Sequence, residues 1–333
     1  IGSPVMAWLT TRMDRRILLV GTLVVVAAAE GASALAPSYG VVLALRLAML
    51  AVAAIYTPQA AATVGLIVPE AQRPSAIAFV FLGWSLAVAG GLPLITFLAT
   101  HFGWRAGFGA LGVAAAVIAL LVFVTLPGGL TGKPLSLASF ATIARNKRLV
   151  TILTVTMLQI SGQITVFVYL GPLLRRLIGA DDLGVESFFG FYGVAALVGN
   201  VIATGVVGAL GTELTLALFL VSTTLGLAVW TAGVGVFAAA VVGIFFWGLG
   251  FAAINSMQQA RLAETVPDLA SASIALNTSL VYVGQAVGSG IGGVLFAQDA
   301  FTAMGYVGIG FLLASCGLIA VTWQRERPLT AVP

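Results

Sequence analysis

Apolar runs of about twenty residues, separated by short polar or glycine- and proline-rich breaks, recur along the whole chain. A run of that length crosses a bilayer as a helix, because about 20 residues rising roughly 1.5 Å each cover a hydrocarbon core of about 30 Å. The pattern predicts a partial span over residues 1–11. Ten full spans follow near 17–36, 40–66, 76–99, 104–126, 149–171, 187–209, 213–233, 235–260, 271–297 and 302–323. Their connections are short except for residues 127–148, where Lys133, Arg145, Lys147 and Arg148 mark a linker. The expected fold is all-α and polytopic, with an incomplete helical bundle over 1–126, a cytoplasmic linker over 127–148 and a six-helix bundle over 149–333. The chain opens at Ile1 on what reads as the inner end of a span, so a first helix is expected to be missing.

Two ionisable side chains, Glu30 and Arg46, can be assigned neither to a loop nor to a membrane surface. Charge within hydrocarbon is costly, so such residues face a protein interior or a water-filled cavity and mark function. They flank the turn Pro37-Ser38-Tyr39-Gly40 at equal distances, six positions on either side. At about 1.5 Å per residue both lie roughly 9 Å below one membrane face. A buried ion pair between antiparallel neighbours is therefore expected, and a static pair that holds two helices competes with a role in coupling.

Composition agrees with the spans. Hydrophobic residues are 60% and charged residues 8%, against about 25% charged in soluble domains, and the mean hydropathy is +1.11. The net charge of +4 points to topology rather than to nucleic acid. With Arg12, Arg15 and Arg16 on the cytoplasmic side, that side also collects Arg73, Lys133, Arg145, Lys147, Arg148, Arg261, Arg325 and Arg327. The outer side holds only Arg105, Arg175 and Arg176. That asymmetry sets the orientation.

Enzyme chemistry finds little support. His101 is the single histidine and falls in an outer loop, and Glu30 stands alone as an intramembrane carboxylate. No catalytic residues, metal or cofactor are expected. Asp181, Asp182 and Glu186 read as a solvated outer turn, and Gly128-Gly129 lacks the Lys-Ser/Thr of a phosphate loop.

The uncharged polar residues are more informative. Gln159 and Gln163 sit one turn apart near mid-span and share a face that Phe167 continues outward. Tyr56, Gln59, Asn200, Asn255, Gln258, Gln259, Asn277 and Gln285 also fall within spans. Each alone could be an inter-helix hydrogen bond worth about 0.6–2 kcal/mol. As a set they could line a polar cavity for a hydroxyl-rich or amphiphilic solute. Two glycine stripes, Gly83/Ala87/Gly91 and Gly284/Gly288/Gly292, repeat about 200 residues apart, as packing grooves in two related bundles would. Pro93, just after Gly90-Gly91, removes a backbone donor and permits a bend.

In the order of its motifs the chain resembles the major facilitator superfamily, nearest to the drug–proton antiporter branch that includes arabinose and other sugar efflux permeases. The resemblance rests on Ala7–Arg16, Arg46, Gly83 through Gly91-Leu92-Pro93, Gly103-Trp104-Arg105, Val166–Pro172 and Gly199-Asn200. It implies twelve helices in two halves, a gating role for Arg12, Arg15 and Arg16, and a proton-coupling role for Arg46. There are departures: Thr11 stands where an aspartate is usual, Asp14 where a glycine is usual, and Ile95 where a later glycine is usual. The second-half loop, Gly205–Gly211, keeps neither the aspartate nor the arginine of the motif.

The resulting expectation is a monomeric, multi-pass transporter of the bacterial inner membrane. It exports a drug or sugar-like small molecule by alternating access, in exchange for protons. Glu30, Arg46, Tyr56, Gln59, Gln159, Gln163, Phe167, Asn255, Asn277 and Gln285 would serve binding or coupling. Arg12, Arg15, Arg16, Gly83, Gly91 and Pro93 would serve the conformational change. The alternative is a non-transporting membrane sensor or assembly factor that retains the fold.

Overall fold

The structure is a computed structural model that describes residues 10, 13–69, 80, 83, 86–131, 137–266 and 269–326. The expected partial span over 1–11 lies outside these apart from Thr10, as do Arg12 and much of the first half of the span at 76–99. Every regular element among the described residues is helical.

Helix α1 (Arg15–Ala34) starts where Asp14 accepts hydrogen bonds from the N–H groups of Arg16 and Ile17, satisfying two donors that a helix start leaves free. Its inward stripe is Leu18, Leu19, Thr22, Leu23, Glu30 and Ser33. Helix α2 (Tyr39–Ile67) returns after the turn at Pro37. A π-helical segment, Ala87–Gly91, leads into α3 (Leu92–Phe102). Helix α4 (Trp104–Thr125) packs on α1 at Gly112, where a Cβ would sit 3.2 Å from the Ala27 carbonyl oxygen.

The linker has a helix of its own. It contains α5 (Leu137–Arg145), which packs on α6 (Lys147–Phe167). The predicted span 149–171 ends early at Phe167, and the chain restarts as the short helix α7 (Leu170–Ile178). α7 buries Leu170, Leu173 and Leu174 while Arg175 and Arg176 face out, so it is amphipathic.

Helix α8 (Asp182–Ala232) is two spans that meet at Gly211, whose φ of 75° is one that side-chain-bearing residues rarely adopt. Then come α9 (Phe237–Thr265), α10 (Ala270–Ala297) and α11 (Phe301–Glu326). α6 packs on α10 and α11, and α8 packs on α9. The main core runs among these helices through Val155, Leu174, Tyr192, Leu220 and Trp247. Val113, Leu120, Leu121 and Val124 of α4 are exposed on its outward side, as lipid contact requires. By length and hydropathy, seven described helices can cross a membrane, one of them the broken α8.

Candidate functional site

Glu30 and Arg46 meet as their positions in the chain require. Arg46 Nη1 donates to Glu30 Oε1 at 2.9 Å, and the guanidinium lies over the Phe108 ring of α4, 4.7 Å from its centre. Glu30 is 4% exposed and its Oε2 has no hydrogen-bond partner. One buried carboxylate oxygen is thus held and the other is open to a proton or a donor.

A second polar group forms around α6. Gln163 Nε2 donates to Gln159 Oε1 at 2.6 Å, and Trp247 Nε1 donates to Gln163 Oε1 at 3.2 Å. Gln159 Nε2 points to Asn255 Oδ1 at 3.5 Å. Phe167 contacts the rings of Tyr192, Trp247 and Phe251 at centre separations of 4.9, 6.0 and 5.9 Å. The Tyr192 hydroxyl is buried there without a hydrogen-bond partner. Gln159, Gln163 and Trp247 are fully buried, while Phe167 and Asn255 are half-buried at the edge of the group.

A family profile described as Major Facilitator Superfamily matches residues 1–289. The chain belongs to the major facilitator superfamily. The Bacillus subtilis MFS-type transporter YtbD is 30% identical over 334 residues, covering 97% of this chain and 82% of the relative. A probable sugar efflux transporter of Mannheimia succiniciproducens is 27% identical over 315 residues, covering 95% of this chain and 78% of the relative. The crystal structure of the human organic anion transporter MFSD10 (TETRAN) matches with a TM-score of 0.79 at 17% identity, covering 95% of this chain and 80% of that one. That last likeness establishes the fold. The protein is a multi-pass transporter of the bacterial inner membrane.

Other polar residues near the helix ends correct an expectation. Glu30 and Arg46 are not the only ionisable groups withdrawn from water. Arg15 is buried and its Nη1 donates to Gln59 Oε1, while Gln59 Nε2 reaches Thr10 Oγ1 at 3.5 Å. Arg261 is buried, giving Glu213 Oε1 two bonds of 2.8 and 3.0 Å and Gln258 Oε1 one of 3.1 Å. The chain continues from Gln258 Nε2 to Thr156 Oγ1 at 3.0 Å, and from Thr156 to Asn277 Oδ1 at 2.7 Å. Glu213, two residues beyond Gly205–Gly211, is half-buried.

The outer acidic triplet also resolves into three roles. Asp181 caps α8 at the Gly184 N–H, Asp182 pairs with Arg175, and Glu186 is buried and accepts from Thr100 Oγ1 at 3.2 Å. This last bond joins α3 to α8. The nearby Pro93 ring would lie 3.6 Å from a Cβ at Gly190 of α8. The π turn just before Pro93 is the bend its missing donor permits.

Some predicted site residues stand apart from both groups. Tyr56 and Gln285 are half-buried and make no hydrogen bond to the described residues. Arg16 stacks on Phe123 rather than joining Arg15 at Gln59. Gly284 and Gly288 form the expected groove: a Cβ at either would collide with a backbone oxygen of α6, at Met157 and Ser161 respectively. Gly83 and Gly91 have no such close neighbour among the described residues. Phe245 and Phe246 are exposed on the outer surface of α9. Trp247 and Tyr192 were missed, because an aromatic ring within a span carries no mark of the face it takes.

Proposed function

We propose that this transporter exports a small hydroxyl-rich or amphiphilic solute by alternating access, in exchange for protons. The observation that carries the solute class is Gln163, fixed between Gln159 and Trp247 in the group that also holds the buried, unpartnered Tyr192 hydroxyl. Amides and a phenol suit hydroxyl groups, and ring faces suit the C–H side of a sugar or an apolar drug surface. The solute meets half-buried Phe167 and Asn255 first, with the buried amides behind them. The name of the Mannheimia relative supports the sugar-like end of this range.

In this reading two bundles, divided by the linker at 127–148, rock about the cavity between them. Glu30 loads a proton when its bond to Arg46 loosens and releases it when the bond reforms. The buried, unpartnered Oε2 supports that role. Arg15–Gln59 and Arg261–Glu213 brace the cytoplasmic ends of the two bundles, and the monomer is the working unit.

Proteoliposomes bearing the protein test this directly. Flux of a sugar panel should rise when a pH gradient is imposed and should fall in Gln163→Ala. Flux indifferent to the gradient removes proton exchange, and flux of apolar drugs alone removes the hydroxyl-rich solute.

A further inference from the structure

The outward faces of α1 and α4 leave an open groove of about 470 Å³, lined by Val20, Val24, Ala27, Ala28, Ala119 and Phe123 among others. On α1 the lining recurs at i, i+4 and i+8, and one turn earlier the same face carries Arg16. The Arg16 guanidinium carbon lies 4.2 Å from the centre of the Phe123 ring, so a cation roofs the cytoplasmic end of an otherwise apolar channel. Its Nε is shielded from solvent and has no hydrogen-bond partner. Asp14 does not satisfy it. That carboxylate accepts from the backbone N–H groups of Arg16, Ile17 and Gly129 and acts on the Arg16 side chain only through space.

The dimensions match one leaflet. From Arg16 to Ala28 the helix rises about 18 Å, against about 15 Å for half a hydrocarbon core. We propose that the groove holds a phospholipid of the cytoplasmic leaflet, its acyl chain along Val24 and Ala28 and its phosphate on Arg16. Charge complementarity favours this occupant over a second copy of the chain. Two copies related by an axis along the membrane normal would bring their Arg16 residues to the same depth, and α4 carries no carboxylate to answer them.

Native mass spectrometry of the full chain, released from detergent with dioleoyl-phosphatidylglycerol or with phosphate-free dioleoylglycerol, tests both halves of the site. Arg16→Gln should weaken phosphatidylglycerol binding about fivefold, the effect of one basic residue at the headgroup level, and leave dioleoylglycerol binding unchanged. Ala28→Trp, a change on an exposed face, should fill the groove and reduce binding of both. Phosphatidylglycerol binding that withstands Arg16→Gln overturns the phosphate contact. Lipid binding that withstands Ala28→Trp overturns the site as a whole. A dimer peak abolished by Ala28→Trp would instead assign the groove to a second copy. Should Arg16→Gln yield too little folded protein, Arg16→Lys keeps the charge and should keep most of the phosphatidylglycerol preference.

Discussion

Arg46 Nη1 stands 2.9 Å from Glu30 Oε1, and this contact joins α1 to α2 within the membrane. Glu30 has 6% of its side chain exposed and Arg46 33%, so the carboxylate is enclosed and the guanidinium only partly so. Removing one partner leaves the other charge uncompensated in a poor solvent for it. Arg46→Leu or Glu30→Leu should each cost roughly 3 kcal/mol, the low end for buried pairs because Arg46 is only partly enclosed. The double exchange Glu30→Arg with Arg46→Glu should recover folding, read as thermal stability in detergent. A double variant no better than either single one rules out a direct pair at this place.

The depth of that pair was legible in the chain because a charge in an apolar run has few places to go, and the turn at Pro37 sets both residues at one level. Gln159 and Gln163 were legible for a similar reason, since i, i+4 spacing on a helix leaves no choice of face. Trp247 and Tyr192 were not. Aromatic residues in a span look the same whether they pack inward, as Trp247 does, or face lipid, as Phe245 and Phe246 do. The pairing of buried Arg261 with Glu213 was hidden because both residues lie at span ends, where hydropathy permits exposure. The short helix α7 was hidden because Val168–Gly171 prolongs the apolar run past the true end of α6.

Gln163 bonds two neighbours at once, as donor to Gln159 and acceptor from Trp247. Gln163→Leu keeps the bulk and leaves the Trp247 N–H without an acceptor. A buried donor left unpaired costs about 1–3 kcal/mol, and a fall in thermal stability of that size is expected. Gln163→Glu preserves the acceptor for Trp247 but sets a carboxylate against Gln159 Oε1, so a loss at neutral pH should shrink as the medium is acidified. Equal stability of all three proteins across pH would show that the amide is not held as described.

The α10 glycines can be separated from ordinary membrane glycines by a paired comparison. A Cβ at Gly288 would fall on the Ser161 carbonyl oxygen of α6, whereas a Cβ at Gly310 of α11 meets nothing within 4 Å. Gly310→Ala should be neutral or stabilising by up to about 1 kcal/mol, the helix preference of alanine. Gly288→Ala should push α10 from α6 and destabilise by about 1–3 kcal/mol, as overpacking does. Thermal unfolding of the two variants decides the matter, and matching values would mean that the two helices do not cross at Gly288.

The start of α1 supplies a pH dependence whose sign follows from its hydrogen bonds. The Ile17 N–H, followed by those of Gly129 and Arg16, holds the Asp14 carboxyl below its ordinary range, because all three donors favour the ionised form. A group with a lowered folded pKa contributes stability above its unfolded value, about 3.9 for aspartate. That contribution disappears as pH falls through the folded value. The accepting geometry also ties the linker to α1, since the Arg15 N–H in turn donates to Leu130 O at 2.9 Å. Gly129 has a φ of 81°, which suits the tight approach of its N–H to Asp14. Asp14→Asn should therefore be less stable than the native protein at pH 6, and the gap should close as the pH falls below about 4. Melting curves of both proteins across that range are the measurement. A gap that stays constant to the lowest pH would show that the ionised carboxylate does not hold the linker against the helix.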